Sequence, residues 1–112
     1  MRIRIALAAA GICVFAMVSS ASAQVDAGAA EALAKAEKCT KCHDVERAKK
    51  ASSFKAVAAK YKGKADGEAT ITKMLTTGGK VKAADGTEDE HDAIGSKDAK
   101  AVKNLVGWIL SR

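Results

Sequence analysis

The sequence predicts an all-α domain of about four helices, and three observations carry that reading. Apolar residues recur at helical spacing in four separate stretches, no stretch alternates apolar and polar residues as a strand would, and proline is absent throughout. No internal repeat is evident.

The first helix is expected from about Ala29 to Lys38, where Ala30, Leu33 and Ala34 share a face behind Asp26 as a cap. It delivers the chain straight into Cys39. The second is expected over about Ser53 to Lys62, with Phe54, Val57, Ala58 and Tyr61 at i, i+3, i+4 and i+7 and Gly63 as its stop. The third covers about Gly67 to Thr77. There Ile71, Met74 and Leu75 form one stripe, and Gly78-Gly79 breaks the helix into a turn. The last begins at Ser96, whose hydroxyl is placed to cap the free amides, with Asp98 suiting the positive helix end. Its apolar stripe is Val102, Leu105, Val106 and Ile109. Residues 80 to 95 lack helical spacing and crowd five acids, Asp85, Glu88, Asp89, Glu90 and Asp92, around His91. They read as a long loop without regular structure.

Residues 1 to 23 have the pattern of a cleaved secretory leader. Arg2 and Arg4 precede an apolar run from Ile5 to Val18, and Ala21-Ser22-Ala23 supplies small residues for cleavage before Gln24. A membrane anchor fits less well, because the run is shorter than the ~20 residues that span a bilayer. Cys13 leaves with the leader. The expected mature domain, 24 to 112, is near the size where a side-chain core alone becomes marginal. With aromatic content of only 4%, a large apolar ligand at its centre would supplement the core. Losing Arg2 and Arg4 lowers the formal charge from +6 to +4. These cations are mixed with acids and have no interleaved aromatics, a poor match to nucleic acid; an acidic protein partner suits them better.

The chemistry concentrates in "AEKCTKCHDV". Cys39-x-x-Cys42-His43 spaces two thiols to add across the two vinyl groups of one haem, with an imidazole following closely enough to ligate the iron. A Cys39–Cys42 disulfide would close a very small loop and leave His43 without a role. A thioredoxin-like redox pair expects a βαβ setting that is missing, and structural zinc needs a second ligand pair where only His91 remains. The motif therefore reads as a covalent haem c site.

With "CTKCH", the aromatic-led "SSFKAVAAKYKGK", the "TTGGK" helix ending and the terminal "AVKNLVGWILSR", the chain resembles the class I c-type cytochromes of the small bacterial monohaem type, over nearly the whole mature length. The resemblance implies a small cytochrome c fold with helices packed around one covalently attached haem. It implies Cys39 and Cys42 as thioether residues, His43 as an axial iron ligand, and Trp108 as the aromatic packing the terminal helix on the first. It also implies a backbone carbonyl orienting the proximal imidazole, at a position where this chain carries Ala51-Ser52. The family usually places a methionine next to prolines in the loop before the last helix; this loop has neither.

His91 is the leading candidate for the distal iron ligand, since it lies where that methionine belongs. Met74, Lys80 or Lys82, and an open sixth position are the alternatives. A second imidazole would stabilise ferric iron more than a thioether does and make a low-potential carrier. The functional expectation is a periplasmic single-electron carrier, a monomer or a subunit of a redox complex, serving periplasmic or membrane redox proteins. The alternative is a gas-binding haem protein with an open sixth site. No Ser-His-Asp grouping, phosphate loop or paired carboxylates point to an enzyme. Lys38, Lys41, Arg47, Lys49 and Lys50 surround the motif and would steer an acidic partner.

Overall fold

A computed structural model describes residues 24 to 112; the expected leader lies outside the described residues. Four α-helices appear in the order expected: α1 Ala27–Ala36, α2 Phe54–Tyr61, α3 Gly67–Thr77 and α4 Ala99–Leu110. Among the described residues no helix is long and apolar enough to cross a membrane.

The helix starts follow from local chemistry. Asp26 caps α1 by accepting a hydrogen bond from the Ala29 amide, and Ser53 caps α2 by accepting from Ala56. The last helix starts later than its sequence suggests. Asp98, not Ser96, is its cap, accepting from the amides of Lys100 and Ala101; the Ser96 hydroxyl accepts instead from the Asp98 amide. A carboxylate has two acceptor oxygens and a charge matched to the helix dipole, so it takes the capping position from the hydroxyl two residues earlier.

The four apolar stripes converge on one core. Ala30 and Ala34 of α1, Phe54 of α2, Ile71 and Leu75 of α3, and Val102, Leu105, Val106, Trp108 and Ile109 of α4 are all buried in it. The small alanines of α1 allow it close against α4, which packs on each of the other three helices. A second tie joins those two helices: the Asn104 side chain accepts from the Asp26 amide at 2.8 Å and donates to the Asp26 carbonyl at 2.8 Å.

The stretch read as an irregular loop is a β-hairpin. Strands β1 Gly79–Lys82 and β2 Glu88–His91 pair antiparallel, with Gly79 opposite His91 and Val81 opposite Asp89. Their outer faces place opposite charges across from one another, Lys80 with Glu90 and Lys82 with Glu88. The turn between them is tied by Asp85, whose carboxylate accepts from the Thr87 hydroxyl and amide, and Gly86 adopts a left-handed φ of 87°. Those bonds hold the Asp85 carboxyl below its usual range. The hairpin does not stand alone. Its turn donates the Ala84 amide to the Lys50 carbonyl, and Asp89 pairs with Lys50 at 3.5 Å.

Gly78 makes the entry to the hairpin possible. Its φ is 66°, and a Cβ there would collide with the carbonyl oxygen of His91. Gly78→Ala is expected to cost about 2 kcal/mol or more, whereas Gly63→Ala, also at positive φ but facing open space, should cost about 1 kcal/mol. Asn104→Ala should cost about 1 kcal/mol through the lost α1–α4 bonds. Denaturant midpoints at unchanged slope check all three.

Candidate functional site

The motif residues are gathered by a single tight turn. Lys38, with a left-handed φ of 60°, ends α1 and swings the chain into a short 3-10 turn over Cys39–Lys41. The amides of Cys42 and His43 both donate to the Cys39 carbonyl, at 3.2 and 2.9 Å. Cys39, Cys42 and His43 therefore project from one side at i, i+3 and i+4. The two cysteines are free, and Cys39 packs on the core. Burial, with the charge of Glu37 nearby, pushes the Cys39 thiol up; this is opposite to the acidic thiol of a reactive redox pair.

The following segment wraps round His43. The Ala51 amide donates to the Cys42 carbonyl, and the Phe54 amide to that of Asp44. Asp44 accepts from the Arg47 and Glu46 amides, which hold its carboxyl below the usual range. The result is that Ser52 presents its carbonyl to His43: Nδ1 donates to it at 2.7 Å. That bond fixes the tautomer and leaves Nε2 as the free lone pair, the arrangement a metal-ligating histidine requires. The ring lies flat against Phe54, with centroids 5.0 Å apart and 14° between planes. Burial lowers the His43 pKa, against the opposing bond to Ser52, so the ring is kept in the neutral form that a metal takes.

His91 ends β2 and comes close to His43. Its ring centroid is 6.2 Å from that of His43, with planes at 49°. Its Nδ1 is buried and has no hydrogen-bond partner among the described residues. Gly79, its cross-strand neighbour, has no side chain to compete for the space beside the ring. Met74 is half-buried on α3, while Lys80 and Lys82 are exposed on the outer face of β1. The His91 ring is thus brought close to that of His43.

Trp108 does more than the sequence suggests. It meets Phe54 of α2 edge-on at 5.4 Å and also lines a cleft with Ala34 and Lys35 of α1, so the ring behind His43 is backed by a second aromatic. Two contributors to the site were not legible as such in the sequence: Phe54 stacked on His43, and Glu37, whose carboxylate accepts from the amides of Gly95 and Ser96 at 2.7 and 2.9 Å. The acid beside the motif gave no sign of a partner 58 residues away.

No group of three or more His, Cys, Asp or Glu side chains is arranged to hold a metal ion among the described residues. The two motif thiols and the free Nε2 of His43, presented from one turn, instead fit a covalently attached haem with an imidazole for its iron.

The profile of the cytochrome c family matches residues 27–112. No curated protein matches the chain. Among solved structures, the chain is similar to the class 1 cytochrome MtoD from Sideroxydans lithotrophicus ES-1, at 49% identity over 79% of this chain and 97% of that one, with a TM-score of 0.73. It is also similar to cytochrome c552 from Nitrosomonas europaea. A deletion mutant gives 28% identity, 72% and 96% coverage and a TM-score of 0.62, and the wild type gives 27%, the same coverages and 0.59. The chain belongs to the cytochrome c family, as a class I monohaem cytochrome with covalently bound haem c.

Proposed function

We propose that the protein is a periplasmic single-electron carrier in which His43 and His91 hold the haem iron from opposite sides. Residues 24 to 112 form the mature domain, and residues 1 to 23 direct export. Haem c, when bound, supplies a one-electron ferric/ferrous couple. Cys39 and Cys42 tether it: each sulfur bonds a vinyl carbon, the thiol hydrogen passes to the neighbouring carbon, and no net oxidation occurs. His43 is the proximal ligand, oriented by the Ser52 carbonyl.

The spacing of the two imidazoles is the observation that carries the reading. Two rings that each place a nitrogen about 2.0–2.1 Å from one metal, on opposite sides, have centroids roughly 6.3 Å apart. The 6.2 Å between His43 and His91 agrees with that separation. The buried Nδ1 of His91 has no hydrogen-bond partner among the described residues; an orphaned nitrogen of this kind is costly, and the iron would relieve that cost by taking this nitrogen. Two imidazoles favour ferric iron, giving a low potential compared with imidazole and thioether. The exposed cations Lys38, Lys41, Arg47, Lys49 and Lys50 form the docking surface for acidic redox partners. Lys50 already pairs with Asp89, so Lys38, Lys41, Arg47 and Lys49 carry most of the steering.

Removing either function of the site should leave a distinct signature. In the Cys39→Ala, Cys42→Ala double variant, haem becomes extractable by acid solvent and is lost on a denaturing gel, where the wild type retains it. His91→Ala converts a low-spin protein that takes up carbon monoxide only slowly when reduced into one that binds it rapidly, and His91→Met raises the potential. A wild type that is high-spin and takes up carbon monoxide readily would make gas binding the leading function. Oxidation of the reduced protein by hexacyanoferrate(III), an anion, should slow as ionic strength rises. Lys41→Glu with Arg47→Glu should slow it several-fold at low salt and flatten the salt dependence; an unchanged slope removes the patch from the account.

A further inference from the structure

Glu37 stands at the C-terminal end of α1, where the helix dipole disfavours a negative charge. Its partners lie instead in the stretch after β2: one carboxylate oxygen accepts from the Gly95 amide and the other from the Ser96 amide. Among the described residues these are the hydrogen bonds that join the chain just before Cys39 to the chain just after His91.

We propose that Glu37 is a positioning residue, a carboxylate latch that holds His91 on the iron by clamping the chain behind it; this rests on the assignment of His91 as distal ligand. His91 is the last paired residue of β2, so the ladder secures it from one side only. Beyond it, Asp92 and Ala93 are exposed. The next anchors are Ile94, whose amide donates to the Leu75 carbonyl at 2.8 Å, and the Glu37 clamp. A planar carboxylate presenting one oxygen to each of two successive amides is a bidentate, charge-assisted contact, stronger and more directional than neutral bonds. The latch joins the segment that carries the haem tether to the segment that carries the distal ligand. Thermal opening of the sixth position then requires breaking it.

The test compares holoproteins: wild type, Glu37→Ala, Glu37→Gln and, as references, His91→Ala and Asn104→Ala. Carbon monoxide uptake by the reduced form is followed by stopped flow, and amide hydrogen exchange is followed at Gly95 and Ser96. Glu37→Ala should take up carbon monoxide roughly tenfold faster than wild type, with both amides exchanging faster, the size expected for losing a charge-assisted contact. Glu37→Gln, whose amide oxygen can still accept, should fall between. Asn104→Ala, destabilised elsewhere, should keep the wild-type uptake rate. If His91→Ala opens the site but Glu37→Ala and Glu37→Gln behave as wild type, the latch is overturned and the ligand stands. If His91→Ala leaves the spectrum unchanged, the ligand assignment falls and the positioning role falls with it.

Discussion

The close approach of two imidazoles, His43 and His91 with ring centroids 6.2 Å apart, is the constraint on which the rest of the structure depends. They lie far apart in the chain, and neither can be placed by its own local structure. His43 is set by the turn through Cys39 and by the Ser52 carbonyl. His91 is set by a hairpin that begins at a glycine needed to pass the His91 backbone and pairs the histidine with another glycine. The helices supply the frame. Phe54, stacked on His43 and met edge-on by Trp108, forms an aromatic wall behind it, which resists displacement because aromatic pairs of this kind bury much area with definite geometry.

This division of labour explains what the sequence disclosed and what it hid. The helices were legible because each buries an apolar stripe against its neighbours, and a stripe is a periodic signal. The motif was legible because its three reactive side chains come from one turn. The hairpin was missed because its inner face carries Val81, Gly79, Asp89 and His91, too few apolar residues to produce alternation. That face is turned toward a site rather than toward aliphatic packing. A local cue was present in Asp85-Gly86, a turn-forming pair between two short runs, but charged residues on both strands masked it. The displaced start of the last helix has a simpler cause, competition between two capping residues two positions apart, Ser96 and Asp98, which the carboxylate wins. Long-range polar contacts such as Asp26 with Asn104 leave no periodic trace at all.

The charge distribution gives the domain two unlike regions. Cations crowd the attachment turn and the loop after it, while the hairpin is acidic, and the pair between Lys50 and Asp89 stitches the two together. As a class I cytochrome the protein carries electrons on its haem c, and rigidity serves that task. A site whose ligands stay in place on both oxidation states has little to reorganise when an electron arrives. The aromatic wall, the carbonyl on His43 and the paired hairpin all act in that direction.

The central claim is that the iron is held by two imidazoles and no sulfur, and X-ray absorption at the iron edge of the oxidised holoprotein addresses it directly. The account predicts a six-coordinate iron with nitrogen scatterers alone, lost to five-coordination when His91 is replaced by alanine. A sulfur scatterer in the wild type would transfer the distal position to Met74, and a five-coordinate wild type would mean that His91 stands near the iron without binding it; either result contradicts the account.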